Sequence, residues 1–309
     1  MTSSLLILGC SGGISKDLRT TSFLLNNNIL IDAGTGVGDL TLEQLMKIDY
    51  LFLTHSHLDH ICSLPFMLDA VGMLRSKPLT VFGIPETIKA LQEHIFNNVI
   101  WPDFTKIPSP ENACVILKTI AVGQTIVIDQ VQITALPVNH SIPGNGYWID
   151  SGEGALVFSG DTGPSDTFWD AINAKIKGKQ QERVLNTKSY LKHLIIETSF
   201  TNAESDLAKL SGHYHPTALA TDLTKLESTS QIWITHLKPD ESAKIMQEIA
   251  LLLDGKHAVQ ALKNEQALSF WVIDHLVSSR SSLEISKRKL MQFRRHTKTI
   301  KLKVRLLSS

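Results

Sequence analysis

Tyr50-Leu51-Phe52-Leu53-Thr54-His55-Ser56-His57-Leu58-Asp59-His60 runs from an apolar stretch into three imidazoles and a carboxylate. Read as an extended segment, the alternation of side chains puts His55 and His57 on one face. A turn through Leu58 then presents Asp59 and His60 to a second position close by. Imidazole and carboxylate are the nitrogen and oxygen donors preferred by zinc and its transition-metal neighbours. The competing account is a polar loop whose histidines are merely solvated. It weakens as further ligands emerge downstream.

Three later strand ends supply them. Ala135-Leu136-Pro137-Val138-Asn139-His140 ends a strand on a histidine, and Val157-Phe158-Ser159-Gly160-Asp161-Thr162 ends another on a carboxylate. Ile232-Trp233-Ile234-Thr235-His236 ends a third on a histidine. Each alone reads as a capped turn. Together with the first motif they make five histidines and two aspartates. Two four-coordinate sites sharing a bridging carboxylate and a bridging water need about that many.

The bulk numbers set the frame. With 309 residues, 43% hydrophobic and 19% charged, the chain has the profile of a soluble globular protein with ample length for a core. The formal charge of zero hides an asymmetry. Residues 275–309 carry ten of the 30 basic residues and one of the 30 acidic ones, Glu284. The body is therefore acidic and the tail basic, which argues against broad capture of nucleic acid by the body. Cys10, Cys62 and Cys114 contain no CxxC pair and suggest a reducing compartment rather than a disulfide framework. Each reads as a small core residue. The amino terminus lacks the features of a secretory signal, and no apolar run reaches membrane-spanning length. The cytoplasm is the expected location.

Short strands are expected at Leu5–Leu8, Phe23–Leu25 and Ile29–Ile31, the last two flanking an Asn26-Asn27-Asn28 hairpin turn. Val115–Ile120, Thr125–Ile128 and Val131–Leu136 read as a meander, followed by Tyr147–Ile149, Ala155–Phe158, Leu194–Ile196 and Ile232–Ile234. Helical periodicity covers Leu40–Ile48, Ile61–Leu74, Pro85–Phe96, Thr167–Ile176, Pro216–Leu226 and Glu241–Leu253. Strands and helices interleave without a linker or repeat, so one α/β domain over 1–274 is expected, with 275–309 a solvated or disordered basic appendage.

With these residues in view, the chain resembles the metallo-β-lactamase superfamily, and more narrowly the class II cyclic-nucleotide phosphodiesterases. His55–Ser63, Asn97–Phe104, Phe158–Gly163 and Thr235–Pro239 carry the resemblance, with Ile31-Asp32-Ala33-Gly34-Thr35-Gly36 common to the superfamily. It covers roughly residues 4–273 and does not reach the tail. It implies a four-layer αβ/βα sandwich with two divalent ions at one edge, zinc first and manganese or iron as alternatives. Carried over by position, His55, His57 and His140 would hold one ion. Asp59, His60 and His236 would hold the other, with Asp161 between them. Asp59 would thus belong to the catalytic set, and Asp32 would support the edge by hydrogen bonds to the ligands. The implied reaction is hydrolysis of cAMP, and of cGMP as a second substrate, to the 5′-monophosphate by a hydroxide bridging the metals.

Ile195-Ile196-Glu197-Thr198-Ser199-Phe200 and Ser211-Gly212-His213-Tyr214-His215-Pro216 look like the superfamily's acid pair. Glu197 would orient His213 and keep it protonated, and His213 would protonate the departing 3′-oxygen. The alternative is that His213 caps the helix beginning near Pro216. His215 departs from the small residue expected there, and its part is open. Gly9-Cys10-Ser11-Gly12-Gly13 and Gly34-x-Gly36-x-Gly38 read as tight turns beside the metal edge rather than phosphate or dinucleotide loops. Trp101, Phe104 and Tyr147 could stack on adenine, but core packing is the plainer account.

A tRNA 3′-processing endonuclease is the second enzyme reading, with the tail as its only candidate for RNA contact. A lactamase or thioester hydrolase has less use for the Glu197/His213 pair. A non-catalytic nucleotide-binding sensor would be expected to lack a ligand, and every position is filled. The expected partner is a small cyclic nucleotide; a homodimer is left open.

Overall fold

Alternation along the strands gives each of them two apolar faces to bury. In β1 (Ser4–Gly9), Leu5 and Ile7 turn one way while Leu6 and Leu8 turn the other. A sheet built from such strands needs cover on both sides, and the chain meets that need with two sheets and two helical layers. The computed structural model describes residues 3–182, 190–253, 255 and 257–270. The expected boundary at 274 and the basic segment 275–309 lie outside the described residues.

The first sheet is assembled from β1, β2 (Ser22–Leu25), β3 (Ile29–Ile31), β4 (Tyr50–Phe52), β5 (Leu79–Gly83) and β6 (Val115–Thr119), side by side in chain order. The second takes β7 (Thr125–Ile128), β8 (Val131–Pro137), β9 (Asn145–Asp150), β10 (Ala155–Phe158), β11 (Leu191–Glu197), β12 (Gln231–Thr235) and β13 (Val259–Ala261), again in chain order. Finally β14 (Ala267–Ser269) returns to the first sheet, antiparallel to β1. Strands β3 to β6 are parallel, as are β10 to β13. The β2–β3 hairpin turns on Asn26 and Asn27, both at positive φ (52° and 72°), which asparagine tolerates.

Three apolar clusters fill the layers. Leu5, Ile7, Phe23, Phe52, Tyr147, Phe158 and Ile195 meet between the sheets. Helices Leu42–Lys47 and Ser63–Val71 pack Leu45, Leu64 and Leu68 on the outer face of the first sheet. Helices Asp166–Glu182, Pro216–Leu223 and Ser242–Leu253 lay Phe168, Ile172, Leu219, Ile245 and Ile249 on the outer face of the second. The result is the four-layer αβ/βα sandwich.

Two local expectations need correcting. The Val115–Ile120 segment does not join a meander: β6 pairs in parallel with β5, and the antiparallel run of the second sheet begins at β7 and continues through β8, β9 and β10. Period-2 patterning identifies a strand but not its partner, and the turn around Gly123 (φ 85°) carries the chain from one sheet to the other. A helix at Ser205–Ser211 was not expected at all. Only its Ala208 is buried, while Leu207 and Leu210 stand exposed, so no apolar stripe announces it.

Strands β3, β4, β8, β10, β11 and β12 all point their carboxyl ends toward one edge. Glu197 closes β11, and beyond the other ends lie Asp32, His55, His140, Asp161 and His236. The crevice at the carboxyl ends of the strands is where open α/β sheets bind their ligands.

Phe158 lies directly before this edge and packs edge-on to Phe23, centroids 4.8 Å apart. Phe158→Ala should lower stability by about 3–5 kcal/mol, read as a shifted urea midpoint with an unchanged slope. An unchanged midpoint would contradict the packing described.

Candidate metal centre

His55, His140, Asp161 and His236 sit one to three residues past a strand, and His57, Asp59 and His60 follow at the start of the next short helix. His55 and His57 extend from β4, and Asp59 and His60 occupy the short helix Leu58–Ile61. Two groups result, each with its donor atoms within 4.8 Å of one another. One contains His55, His57, His140 and Asp161; the other contains Asp59, His60, Asp161 and His236. Asp161 belongs to both. Its oxygens lie 3.8 Å from His55 Nε2, 3.4 Å from His60 Nε2 and 3.2 Å from His236 Nε2. Asp59 Oδ2 is 3.1 Å from His236 Nε2 and 3.7 Å from His60 Nε2. His57 Nδ1 faces His55 Nε2 at 3.1 Å and His140 Nε2 at 3.2 Å.

The opposite ring nitrogens decide which lone pairs face inward. His60 Nδ1 donates to Asp32 Oδ2 at 2.7 Å, and His140 Nδ1 donates to the Gly212 carbonyl at 3.0 Å. Both acceptors lack a proton to give, so Nδ1 carries the hydrogen and Nε2 offers a lone pair. Asp32 also accepts from the Thr54 amide and hydroxyl, both at 2.8 Å. With its hydrogen committed, the Thr54 oxygen accepts from His55 Nδ1 at 3.0 Å. Asp32, fully buried and at positive φ (56°), thus orients two rings. Ser199 does the same for His236: its oxygen lies 2.8 Å from His236 Nδ1 and donates to Glu197 at 3.1 Å.

The fit to a cation is tested by His60 Nε2, a buried nitrogen with no hydrogen-bond partner, facing two carboxylates. Burial, reinforced by neighbouring imidazoles, holds His55, His57 and His140 below the ordinary imidazole range, so these rings are neutral donors. His60 goes the other way. Burial opposes its charged form, but Asp161 and Asp32 overcome burial and raise it well above the ordinary value. A site that draws a proton this strongly draws a divalent ion by the same field. The residues fit metal.

Beside this centre, Glu197 Oε1 accepts from His213 Nδ1 at 2.7 Å and from the Thr162 amide at 3.0 Å. Glu197 is fully buried. Burial lowers the His213 imidazole, yet the Glu197 carboxylate outweighs it and the net shift is upward. The His213 ring stacks near His236, centroids 5.4 Å apart, and lies 4.8 Å from His140. His213 makes no cap to the helix at Pro216. The residue at that helix start is His215, which bonds to Asn202 at 2.9 Å.

Other sequence candidates fall elsewhere. Tyr147 and Phe104 are buried in apolar clusters, and Trp101 packs against Phe66. His193 links Trp233 to the Ser269 carbonyl, away from the centre. Burial raises all three thiols, Cys10 up to about 12. Gly12 is a close-approach position, since a β-carbon there would stand 2.5 Å from the His236 carbonyl oxygen. Sequence reasoning assigned no ring-orienting role to Thr54, Ser199 or the Gly212 carbonyl. Only the adjacency of Thr54 to His55, and of Ser199 to Glu197, hints at the first two.

The family model for class-II cAMP phosphodiesterases matches residues 40–265. A Yersinia pestis protein named "Probable 3',5'-cyclic-nucleotide phosphodiesterase" is 28% identical over 273 residues, 75% of this chain and 77% of that one. Among solved structures, unliganded yeast PDE1 superposes with a TM-score of 0.72 at 19% identity, covering 87% of this chain and 99% of its own. The metallo-β-lactamase fold protein YhfI from Bacillus subtilis gives 0.64 at 17% identity, over 86% and 98%.

Gly212 is left-handed (φ 70°), and a β-carbon on it would stand 2.7 Å from the Ser141 amide nitrogen and 2.8 Å from His140 Cα. Gly212→Ala should cost roughly 1–3 kcal/mol of stability and weaken binding of added zinc, read by urea unfolding and chelator competition. Unaltered values in both would show that His140 is held some other way.

Proposed function

The chain belongs to the class-II cAMP phosphodiesterases, and we propose that it hydrolyses the 3′ ester of 3′,5′-cyclic nucleotides, cAMP first and cGMP second, to 5′-monophosphates. One observation carries the reading: seven donors converge beside a buried imidazole that a carboxylate holds toward its charged form. His55, His57 and His140 would hold one divalent ion, Asp59, His60 and His236 the other, and Asp161 both. Zinc suits this donor set of imidazole and carboxylate. Bound there, the pair supplies Lewis-acid charge against the phosphoryl oxygens and an acidified water at neutral pH.

The protein's own side chains do the rest. Asp32 and Thr54 hold the His55 and His60 rings in the tautomer that offers Nε2. Glu197 takes His213 Nδ1–H, which leaves Nε2–H to face the substrate. As the P–O3′ bond breaks, that Nε2 proton passes to the 3′-oxygen, and the water's oxygen ends on phosphorus. Ser199 sets His213 in register with His236 through one hydroxyl shared between Glu197 and the His236 ring. A tRNA 3′-processing activity would draw on similar machinery, but the acidic body and the family match over residues 40–265 favour the small substrate. Among the described residues no helix is long and apolar enough to cross a membrane.

Purified protein supplied with zinc should convert cAMP to AMP, seen by chromatography. Stripping with a chelator should abolish turnover and lower the thermal midpoint, and zinc should restore both. No AMP or GMP from either cyclic nucleotide, with zinc or manganese, would refute the reading.

His213→Ala should slow cAMP hydrolysis by ~10²–10⁴ while bis(p-nitrophenyl) phosphate, whose leaving group needs no proton, slows by less than about tenfold. Zinc content should stay as in the parent. Equal losses on both substrates would remove His213 from the proton step.

A further inference from the structure

A cavity of about 350 Å³ opens beside His213, lined also by Asn139, Gly163, Lys209, Gly212 and His215. None of the seven converging donors lines it. That placement has a chemical consequence. The departing 3′-oxygen must lie between phosphorus, at the donors, and the sugar carbon that keeps it. A group that protonates this oxygen therefore stands between the phosphoryl side and the sugar side. The cavity contains His213 and omits the donors, as a space on the sugar side would.

His215, one of the lining residues, carries a hydrogen-bond acceptor. Asn202 Oδ1 accepts from the Thr217 amide at 2.9 Å, so it is the carbonyl oxygen of the side chain. His215 Nδ1, 2.9 Å from the same oxygen, must then donate. Nε2 is left with a lone pair, and burial keeps the imidazole below its ordinary value and therefore uncharged. In a ribose 3′,5′-cyclic phosphate the hydroxyl next to the 3′-oxygen is the 2′-OH, a donor. We infer that the cavity beside His213 receives the ribose, and that His215 Nε2 accepts the 2′-hydroxyl proton, so that the enzyme distinguishes ribonucleotides from 2′-deoxyribonucleotides. The inference rests on His213 being the proton donor to the 3′-oxygen.

The test compares 3′,5′-cAMP with 2′-deoxy-3′,5′-cAMP on the zinc-loaded full chain, as the ratio of their kcat/KM values. One neutral hydrogen bond predicts that His215→Ala lowers this ratio about tenfold relative to the parent, with the change in KM because the contact precedes the chemistry. His215→Gln, which retains an acceptor, should recover much of the ratio. A ratio that is the same in parent and His215→Ala overturns the inference, since a purely structural role at the Asn202 contact would slow both substrates equally. Failure of the underlying reading looks different: without cyclic-nucleotide hydrolysis the parent turns over neither compound, and without a proton-donor role His213→Ala slows cAMP and bis(p-nitrophenyl) phosphate equally.

Discussion

Seven electron-pair donors face one another across a few ångströms at one sheet edge, with almost no hydrogen between them to share. Every other feature of that edge answers to this constraint. Lone pairs crowded in a largely buried space repel unless a positive charge stands among them. The outward nitrogens of four of the five rings are engaged in ways that enforce the arrangement. Asp32 secures His60 directly and His55 through Thr54, the Gly212 carbonyl secures His140, and Ser199 secures His236. These partners keep the rings aimed inward before any ion arrives. A preorganised site of this kind loses little to rearrangement on binding.

The sandwich makes the convergence possible. Residues as far apart in the chain as His55 and His236 meet because the strands bearing them end at a common edge. Parallel pairing in both sheets directs those ends the same way, while apolar layers cover the faces of the sheets and the polar tips stand at the edge. The Glu197 carboxylate extends this logic inward. It is fully buried, yet satisfied by Thr162, Ser199 and His213, so its charge is directed at a single imidazole. Burial and a close carboxylate act oppositely on His213, and the carboxylate prevails.

Much of this could be read from residues alone. The spacing of His55, His57, Asp59 and His60 after an apolar strand is local information, and so is the placement of His140, Asp161 and His236 just past their strands. The Asn26-Asn27-Asn28 hairpin was legible for the same reason: its chemistry is confined to three residues. Partnership was not legible. Nothing in Val115–Thr119 tells a strand that β5 rather than β7 will be its neighbour. The helix at Ser205–Ser211 exposes its leucines and so conceals its period, although its end at Gly212 places the carbonyl that holds His140. Thr54 and Ser199 are ordinary hydroxyls in sequence, and their roles arise only when strands from distant parts of the chain bring two rings to the same oxygen.

X-ray absorption at the zinc edge of the loaded protein tests the central claim most directly. The account predicts a first shell of nitrogen and oxygen only, at roughly 2.0–2.2 Å, with metal–metal scattering at about 3.5–4 Å. A sulfur shell, or a spectrum of isolated single ions, would contradict it.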